Sequence, residues 1–436
     1  MANYNSWAYF PTKEQKAVRP SWVDFDFDTK AKSLLPYGNG RSYGDSCLNG
    51  HGIVIDSRSL DRFIVFDTDQ GILRCESGVI FADILALIIP QGWFLPVTPG
   101  TKYVTLGGAI ANDVHGKNHH QDGTLGRYIR CFELMRSDDK RLRCSAGENS
   151  ELFAATIGGL GLTGFISWAE IQLIKIPSSY IKINMTTFHG LEEFYELSEQ
   201  ANTKHRYSVA WLDCASGGKQ FARGLFMSGD HASYDKKIKS ALHRPAISVP
   251  INFPKHTINK YSVRAFNALY FYKSCLSANK TVYQHYNTFF YPLDGIGNWN
   301  RIYGGQGFYQ YQFVIPLTQP AAMEQALNII VASGLGSFLA VLKEFGNLKS
   351  PGMLSFPRPG ICLSLDFANR GEITLKLLQD LDQLVIEAGG AAYPAKDVRM
   401  SSKTFQSYYP NYAEFEAYID PKFSSDFWRR VSATKT

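Results

Sequence analysis

The chain has 436 residues, of which 45% are hydrophobic, and a formal net charge of +6. This length and apolar content suffice for two domains with their own cores. The seven cysteines form no CxxC pair, which argues against a disulfide framework and against a zinc or other metal site. No signal-peptide pattern or bilayer-spanning apolar run is visible. We therefore expect a soluble protein, either cytoplasmic or peripheral on the inner membrane.

The first notable stretch is residues 36–47, PYGNGRSYGDSC, in which glycines alternate with polar side chains. The apolar run Ile53–Ile55 follows it, so the stretch is predicted to be a loop between strands. It fits neither GxGxxG after a strand nor GxxxxGK[ST], which argues against a Rossmann or P-loop nucleotide site.

A second glycine-rich stretch follows a predicted helix over Val79–Ile89. Residues 96–120 read PVTPGTKYVTLGGAIANDVHGKNHH and contain few large apolar side chains. Glycines let backbone N–H groups approach phosphate oxygens closely, so this composition favours a polyanion site over a surface loop. Two such loops predict one extended ligand that is held at two places.

The pattern changes near Pro177, where we place a domain boundary. Before it, Ser150 is a candidate N-cap for a short helix, and a strand is predicted over Phe165–Ile176. Between them lies GGLGLTG, which is either a simple helix-to-strand connection or part of the ligand site. After the boundary we predict a helix over Leu191–Ala201 and strands over Tyr207–Leu212 and Arg223–Met227.

Residues 236–293 contain no Asp or Glu but nine lysines and arginines and many aromatic residues. Cations mixed with aromatic rings suit an anionic lipid surface. A solvated basic loop is an equally good interpretation, and single-stranded nucleic acid is a weaker one. The cations are Lys236, Lys237, Lys239, Arg244, Lys255, Lys260, Arg264, Lys273 and Lys280.

Three predicted strands follow, each with one apolar and one polar face. In YQYQFVI, Gln310 and Gln312 alternate with aromatic residues, and in ICLSLDF, Ser364 alternates with leucines. The strand over Phe338–Lys343 ends in a cation. The polar faces either meet water or cover a polar substrate. An amphipathic helix over Leu377–Ala388 and the sequence AAYPAKD complete the pattern.

The stretches PYGNGRSYGD, VTPGTKYVTLGGAIANDVHGKNHH and ATIGGLGLTG resemble the flavin domain of the vanillyl-alcohol-oxidase (PCMH-type) flavoproteins. HGKNHH and YQYQF point within it to the decaprenylphosphoryl-ribose 2-oxidase family. The resemblance implies an α+β fold with an FAD-binding domain of residues 1–177 and 391–436. Residues 178–390 would form a substrate-binding cap domain with an antiparallel sheet, in which 236–293 is a candidate mobile segment.

The resemblance also implies which residues contact FAD. Relatives with covalent flavin carry His where this chain has Tyr43, so we expect the FAD to be non-covalent. The implied cofactor-binding residues are Gly38, Asn39, Gly40, Arg41, Ser42, Tyr43, Ser46, Cys47, Gly100, Thr101, Val104, Thr105, Gly107, Gly108, Ala109, Asn112, His115, Gly116, Gly161, Gly164, Ile166, Tyr393 and Lys396.

By the same resemblance, Lys396, His115 and Tyr393 are candidate catalytic residues, and no metal is involved. The implied substrate-binding residues are Gln310, Gln312, Lys343 and Ser364. Mycobacterial members of the family have a reactive cysteine at the position that aligns with Ser364. Cys362 lies two residues earlier on the same face of the strand.

The implied reaction is FAD-dependent oxidation of the 2-hydroxyl of a polyprenyl-phosphate-linked ribose. A short-chain reductase partner would complete the epimerisation, and a quinone or another acceptor would take the electrons. Two alternatives remain at this point. One is an alditol or aldonolactone oxidase, although no HWAK-like motif is present. The other is a flavin-free module that binds lipid phosphate or nucleic acid.

Overall fold

The structure is a computed structural model that describes residues 4–28, 30–233, 247–254 and 257–432. The first part of the chain, up to Lys175, alternates short strands with short helices. Its elements are β1 Lys16–Val18, β2 Leu34–Tyr37, β3 Ile53–Asp56, β4 Phe63–Asp67, β5 Ile72–Glu76, α1 Phe81–Ile88, β6 Trp93–Phe94, α2 Leu106–Ala111, α3 His119–Asp122, β7 Ile129–Met135, β8 Arg141–Ser145, α4 Ser150–Thr156, β9 Phe165–Gln172 and β10 Ile174–Lys175.

The second part of the chain has longer strands and helices, and the third returns to the first part. The second comprises β11 Tyr180–His189, α5 Gly190–Asn202, β12 Tyr207–Leu212, β13 Arg223–His231, β14 Ile247–Ser248, α6 Lys260–Cys275, β15 Lys280–His285, α7 Tyr286–Phe290, β16 Ile296–Gly297, β17 Phe308–Ile315, α8 Pro320–Ser333, β18 Ala340–Phe345, β19 Gly360–Ala368 and α9 Glu372–Glu387. The third comprises β20 Ala391–Ala392, α10 Ser402–Tyr408, α11 Tyr412–Glu416 and α12 Asp426–Ser432.

Two sheets dominate the first part. One is a parallel sheet in the order β1-β3-β2, and the other is an antiparallel sheet in the order β4-β5-β9-β7-β8. The first glycine-rich stretch connects β2 to β3, as predicted, and the second leads into α2. Mixed helices and antiparallel sheets confirm the predicted α+β class.

An eight-stranded antiparallel sheet forms most of the second part, in the order β15-β11-β13-β12-β18-β19-β17-β20. Strands β17 and β19 pair in a register that sets Gln310 opposite Asp366 and Gln312 opposite Ser364. The alternate residues, such as Phe313 and Leu365, are fully buried in the core that includes α8 and α9. Because side chains alternate along a strand, the polar residues lie on the other face of the sheet.

Some predicted boundaries shift. The single strand predicted over Phe165–Ile176 is interrupted at Leu173, because β9 pairs with β5 and β7 whereas β10 pairs with β6. Ser150 is the first residue of α4 and not its N-cap. The cap is Asn149, which adopts φ 48°, a left-handed conformation that asparagine tolerates better than most residues.

The C-terminal residues pack back onto the first glycine-rich loop. Arg430 in α12 donates two hydrogen bonds to Asp45 of that loop, at 3.1 and 2.7 Å, and lies 3.1 Å from the carboxylate of Asp397. This supports the proposal that residues 391–436 belong with the first domain, although β20 at the boundary pairs with β17. Among the described residues, no helix has the length and apolar character needed to cross a membrane.

Replacing Arg430 by Met should lower the free energy of unfolding by about 2–3 kcal/mol, because it leaves two largely buried carboxylates without their cation. Chemical denaturation measures this loss. Lys376→Met is the matched control, because its pair with Asp380 is exposed and should contribute less than about 0.5 kcal/mol. Equal losses in the two variants would contradict the anchoring role of Arg430.

Candidate active site

A single large cavity collects nearly all the residues that the sequence singled out. It contains about 1930 Å³ of space between protein atoms, counted with its open mouth. Both glycine-rich loops, the turn before β9, the polar face of the β17–β19–β18 sheet and the Lys396 turn line it. The predicted residues in its wall are Gly38, Asn39, Gly40, Arg41, Ser42, Tyr43, Ser46, Cys47, Gly100, Thr101, Val104, Thr105, Gly107, Gly108, Asn112, His115, Gly161, Gly164, Ile166, Gln310, Gln312, Lys343, Ser364, Tyr393 and Lys396.

The two glycine-rich loops touch each other. A Cβ added to Gly38 would lie 2.3 Å from Oγ1 of Thr105, so this contact requires glycine. The Asn39 side-chain amide also donates to the Tyr103 carbonyl at 2.8 Å. Thr105 caps α2 by accepting from the Gly108 N–H at 3.2 Å. The loops therefore form one continuous wall, which is compatible with the prediction that both loops hold one extended ligand.

The wall contains buried polar atoms that have no hydrogen-bond partner among the described residues. They are Arg41 Nε, Ser46 Oγ, Ser77 Oγ, Asn112 Oδ1 and His115 Nδ1. A buried polar atom without a partner costs about 1–3 kcal/mol, so a native site of this kind is built for a polar ligand. Hydrogen-bond donors and acceptors spread along both loops fit an extended, partly anionic molecule such as FAD.

Hydrogen bonds fix the polar face of the sheet. Gln310 donates to Asp366 at 2.7 Å, and Gln312 lies 2.7 Å from His115 Nε2. Burial, with the nearby cation Lys343, holds the pKa of His115 well below its ordinary value, so the imidazole is neutral. With Nε2 accepting from the Gln312 amide, the ring proton is on Nδ1, the nitrogen that lacks a partner.

Lys396 and Asp366 form an electrostatically coupled pair. Burial lowers the pKa of Lys396 to about 7, although Asp366 opposes the shift, and burial raises the pKa of Asp366 to about 7. The Lys396 ammonium lies 3.8 Å from the ring centroid of Tyr43. A lysine in this setting is partly deprotonated near neutral pH, whereas an exposed lysine stays protonated.

Lys343 is a second cation in the wall, and its side chain is half-buried. Burial lowers its pKa, and it makes no ion pair within the described part of the chain. Tyr393 is held rigidly, since its hydroxyl donates to the Asn112 carbonyl at 2.7 Å and its ring stacks on Phe356. The cavity thus carries positive charge that the described protein residues only partly balance.

Two predicted cofactor-binding residues, Ala109 and Gly116, are not among the residues that line the cavity. Ala109 is fully buried on the core side of α2, and Gly116 packs against Thr98 and Asn118. His119 and His120 also lie outside the wall, where His119 packs on Phe345 and His120 contacts the His205 carbonyl. A glycine-rich stretch marks a site but does not tell which of its residues face it.

Sequence reasoning also missed several wall residues. Asp366 was detectable, because it shares the polar face of ICLSLDF with Ser364. Other residues had no sequence signal, because they come together from distant segments. They include Asp294 and the apolar side chains of Trp7, Leu293, Trp299, Leu339 and Val341.

Residues 27–145 match the model of a family described as FAD binding domain. The decaprenylphosphoryl-β-D-ribose oxidase of Mycolicibacterium smegmatis is 36% identical over 423 residues, which cover 92% of this chain and 89% of that protein. An uncharacterised Streptomyces coelicolor protein is 30% identical over 79% of the chain and 97% of its own length. Human Δ24-sterol reductase is 34% identical over 29% of the chain and 24% of that protein. The chain therefore belongs to the decaprenylphosphoryl-β-D-ribose oxidase family of FAD-dependent oxidoreductases.

Proposed function

We propose that the protein oxidises the 2-hydroxyl of a polyprenylphosphoryl-ribose to the 2-keto sugar, the first half of an epimerisation to the arabinose donor. The observation that carries this proposal is the convergence of five polar side chains on the cavity that the glycine-rich loops enclose. A pentose presents hydroxyls that need such donors and acceptors. The five are Gln310, Gln312, Lys343, Ser364 and Asp366.

The charge and polarity of the wall favour a lipid-phosphate-linked sugar over a free one. Lys343 is a half-buried cation without a carboxylate partner among the described residues, and a phosphoryl group would balance it. Apolar side chains of Trp7, Trp299 and Leu339 line the same cavity and suit the first part of a prenyl chain. An alditol or an aldonolactone would use neither feature.

FAD would be held by both glycine-rich loops, by the Gly161–Ile166 turn and by Tyr393, and when bound it supplies the hydride acceptor. We propose that it is not covalently attached. Burial keeps the pKa of the Tyr43 hydroxyl well above its ordinary value and raises the pKa of the Cys47 thiol to about 12. Both groups therefore stay protonated and are weak nucleophiles.

We assign to Lys396 the role of accepting the hydroxyl proton of the substrate. In its neutral form it accepts that proton, and the Asp366 carboxylate stabilises the resulting ammonium. Gln310 keeps Asp366 in place through its 2.7 Å hydrogen bond. His115 offers Nδ1–H as a donor to the cofactor or substrate.

Two further partners follow from the chemistry. A keto sugar becomes the epimer only if a second enzyme returns a hydride to the opposite face, and we propose a short-chain reductase for this step. The electrons that leave the sugar must reach an acceptor, for which we propose a quinone or a comparable small molecule.

The substrate assignment is tested by anaerobic reduction of the purified yellow protein with a panel of sugars. Prenylphosphoryl ribose should bleach the flavin absorbance, whereas free ribitol and an aldonolactone should not. Acid denaturation of the same preparation should release the flavin from the chain. Bleaching by the free sugars alone would indicate an alditol or aldonolactone oxidase, and a colourless protein would indicate a non-redox binding module.

Lys396→Met should lower kcat/KM by about 10²–10⁴-fold, the usual contribution of a positioned acid–base group, while FAD stays bound. In the parent enzyme, kcat/KM should rise about tenfold per pH unit below pH about 7 and level off above it, because the neutral amine is the active form. Flavin reduction rates measured across pH check both expectations. Lys403→Met removes an exposed cation seven residues away and should change neither.

The variant Asp366→Asn distinguishes the role of Lys396 from that of Asp366. Removing the carboxylate removes the influence that raises the pKa of Lys396, so the acid limb of the pH profile should move to lower pH. If Asp366 were the base itself, the variant would instead lose activity at every pH, which would contradict the assignment of Lys396.

The positions of Ser364 and Cys362 on β19 lead to a prediction about inhibitors. Ser364 lines the cavity, whereas Cys362 does not. The Cys362 residue is fully buried, its sulfur accepts a hydrogen bond from the Gln312 amide at 3.3 Å, and burial raises the pKa of its thiol to about 11. Nitroaromatic compounds that trap a cavity thiol should therefore bind reversibly, and Ser364→Cys should form a stable adduct. Mass spectrometry of the intact protein shows the difference, and a stable adduct on Cys362 of the parent would contradict it.

A further inference from the structure

Helix α6 exposes a stripe of large apolar side chains on the face that points away from the protein. Tyr261 is 79% exposed, Leu269 72% and Tyr272 58%, and Leu276, just after the helix, is 75% exposed. These positions follow the spacing of one helix face. The opposite face carries Val263, Asn267, Phe271 and Ser274, all of which are buried.

A buried polar network prevents the helix from rolling to hide this stripe. The Asn267 amide, fully buried, donates to Asp213 at 3.0 Å and to the Ser337 carbonyl at 3.1 Å. Asp213 is also paired with buried Arg223 at 3.0 Å. Rotating α6 would leave these groups without partners, so the outward orientation of the stripe is built into the fold.

The surroundings of the stripe are positively charged. Lys260 and Lys273 lie on α6, and Lys280 begins the next strand; all three are exposed. The chain has no acidic residue from 236 to 293. Of the nine cations in that interval, Lys236, Lys237, Lys239, Arg244 and Lys255 lie outside the described residues. Exposed apolar side chains ringed by cations complement an anionic membrane surface.

A row of aromatic rings connects α6 to the active-site cavity. Trp299 lines the cavity, and its ring centroid lies 6.5 Å from that of Tyr303. The Tyr303 ring stacks on Phe338 with 5.6 Å between the ring centroids. Phe338 contacts Phe266 of α6 at 5.6 Å. Helix α6 is therefore connected to the apolar side of the cavity wall through two intervening rings, Phe338 and Tyr303.

We propose that α6 docks the enzyme on an anionic lipid bilayer, with Tyr261, Leu269, Tyr272 and Leu276 at the headgroup level. The proposal rests on the proposed function in one respect, since a prenyl-linked substrate resides in such a bilayer. Single-stranded nucleic acid fits less well, because it binds by base stacking and two of these four side chains are aliphatic. Docking would bring the cavity close to the surface from which the substrate must be taken.

The test uses the full-length FAD-loaded protein and vesicles. Parent protein should sediment with vesicles of phosphatidylglycerol and phosphatidylcholine, bind phosphatidylcholine vesicles more weakly, and release at high salt. Tyr261→Ser/Leu269→Ser/Tyr272→Ser should reduce binding at least about tenfold. The control, Ile64→Ser/Val65→Ser/Ile373→Ser, removes three exposed apolar side chains elsewhere, which are 47%, 47% and 62% exposed, and should bind as the parent does.

A fluorophore on Cys275 reports which surface makes contact. Cys275 is the exposed cysteine at the end of α6, whereas Cys47 is half-buried and the other five cysteines are buried. Its emission should shift to the blue on addition of the anionic vesicles. No shift, equal binding of both triple variants, or preferential binding of single-stranded oligonucleotides would overturn the proposal.

Activity separates this proposal from the proposed function. The α6 triple variant should oxidise a water-soluble, short-chain prenylphosphoryl ribose at the parental rate but should oxidise vesicle-embedded substrate about tenfold more slowly. Normal oxidation without vesicle binding would overturn the docking surface and leave the function standing. Vesicle binding without oxidation of either sugar would do the reverse.

Discussion

The pleat of strands β17, β19 and β18 joins the hydrophobic core to the active-site cavity. Phe313 and Leu365 are buried on one side, and this places Gln312 and Ser364 on the other. A slip of one residue in the register would send the apolar set into the cavity and the polar set into the core. The free energy gained by burying the core side chains therefore also holds the polar, cavity-lining face of the sheet in place.

Charge within the cavity follows from the same sheet. Lys343 and Asp366 come from β18 and β19, and Lys396 comes from the turn after β20. Burial shifts the pKa of both Lys396 and Asp366 to about 7, so both groups can gain or lose a proton near neutral pH. Together with Arg41, these groups leave the wall with an excess of positive charge, which suits a phosphate-bearing cofactor and a phosphate-bearing substrate.

Helix α6 and the cavity are connected by the aromatic row from Trp299 to Phe266. The row makes the apolar cavity wall and the base of α6 one packed unit. An enzyme that takes a substrate with a sugar head and a prenyl tail needs both a polar chamber and an apolar approach. The buried Asn267 network holds α6 in its orientation, with the proposed docking face outward.

The sequence by itself determined much of the site. The glycine-rich composition of two loops predicted a ligand-binding site. Strand alternation predicted which side chains of YQYQF and ICLSLDF share a face. These features are local, because glycine frees the backbone and the pleat has a period of two residues. The tertiary structure decided the rest. It shows that Ala109 and Gly116 do not line the cavity, that Trp7 contacts Trp299, and that burial shifts the pKa of Lys396 and of Asp366. Burial and contacts between distant segments depend on packing, which no local pattern encodes.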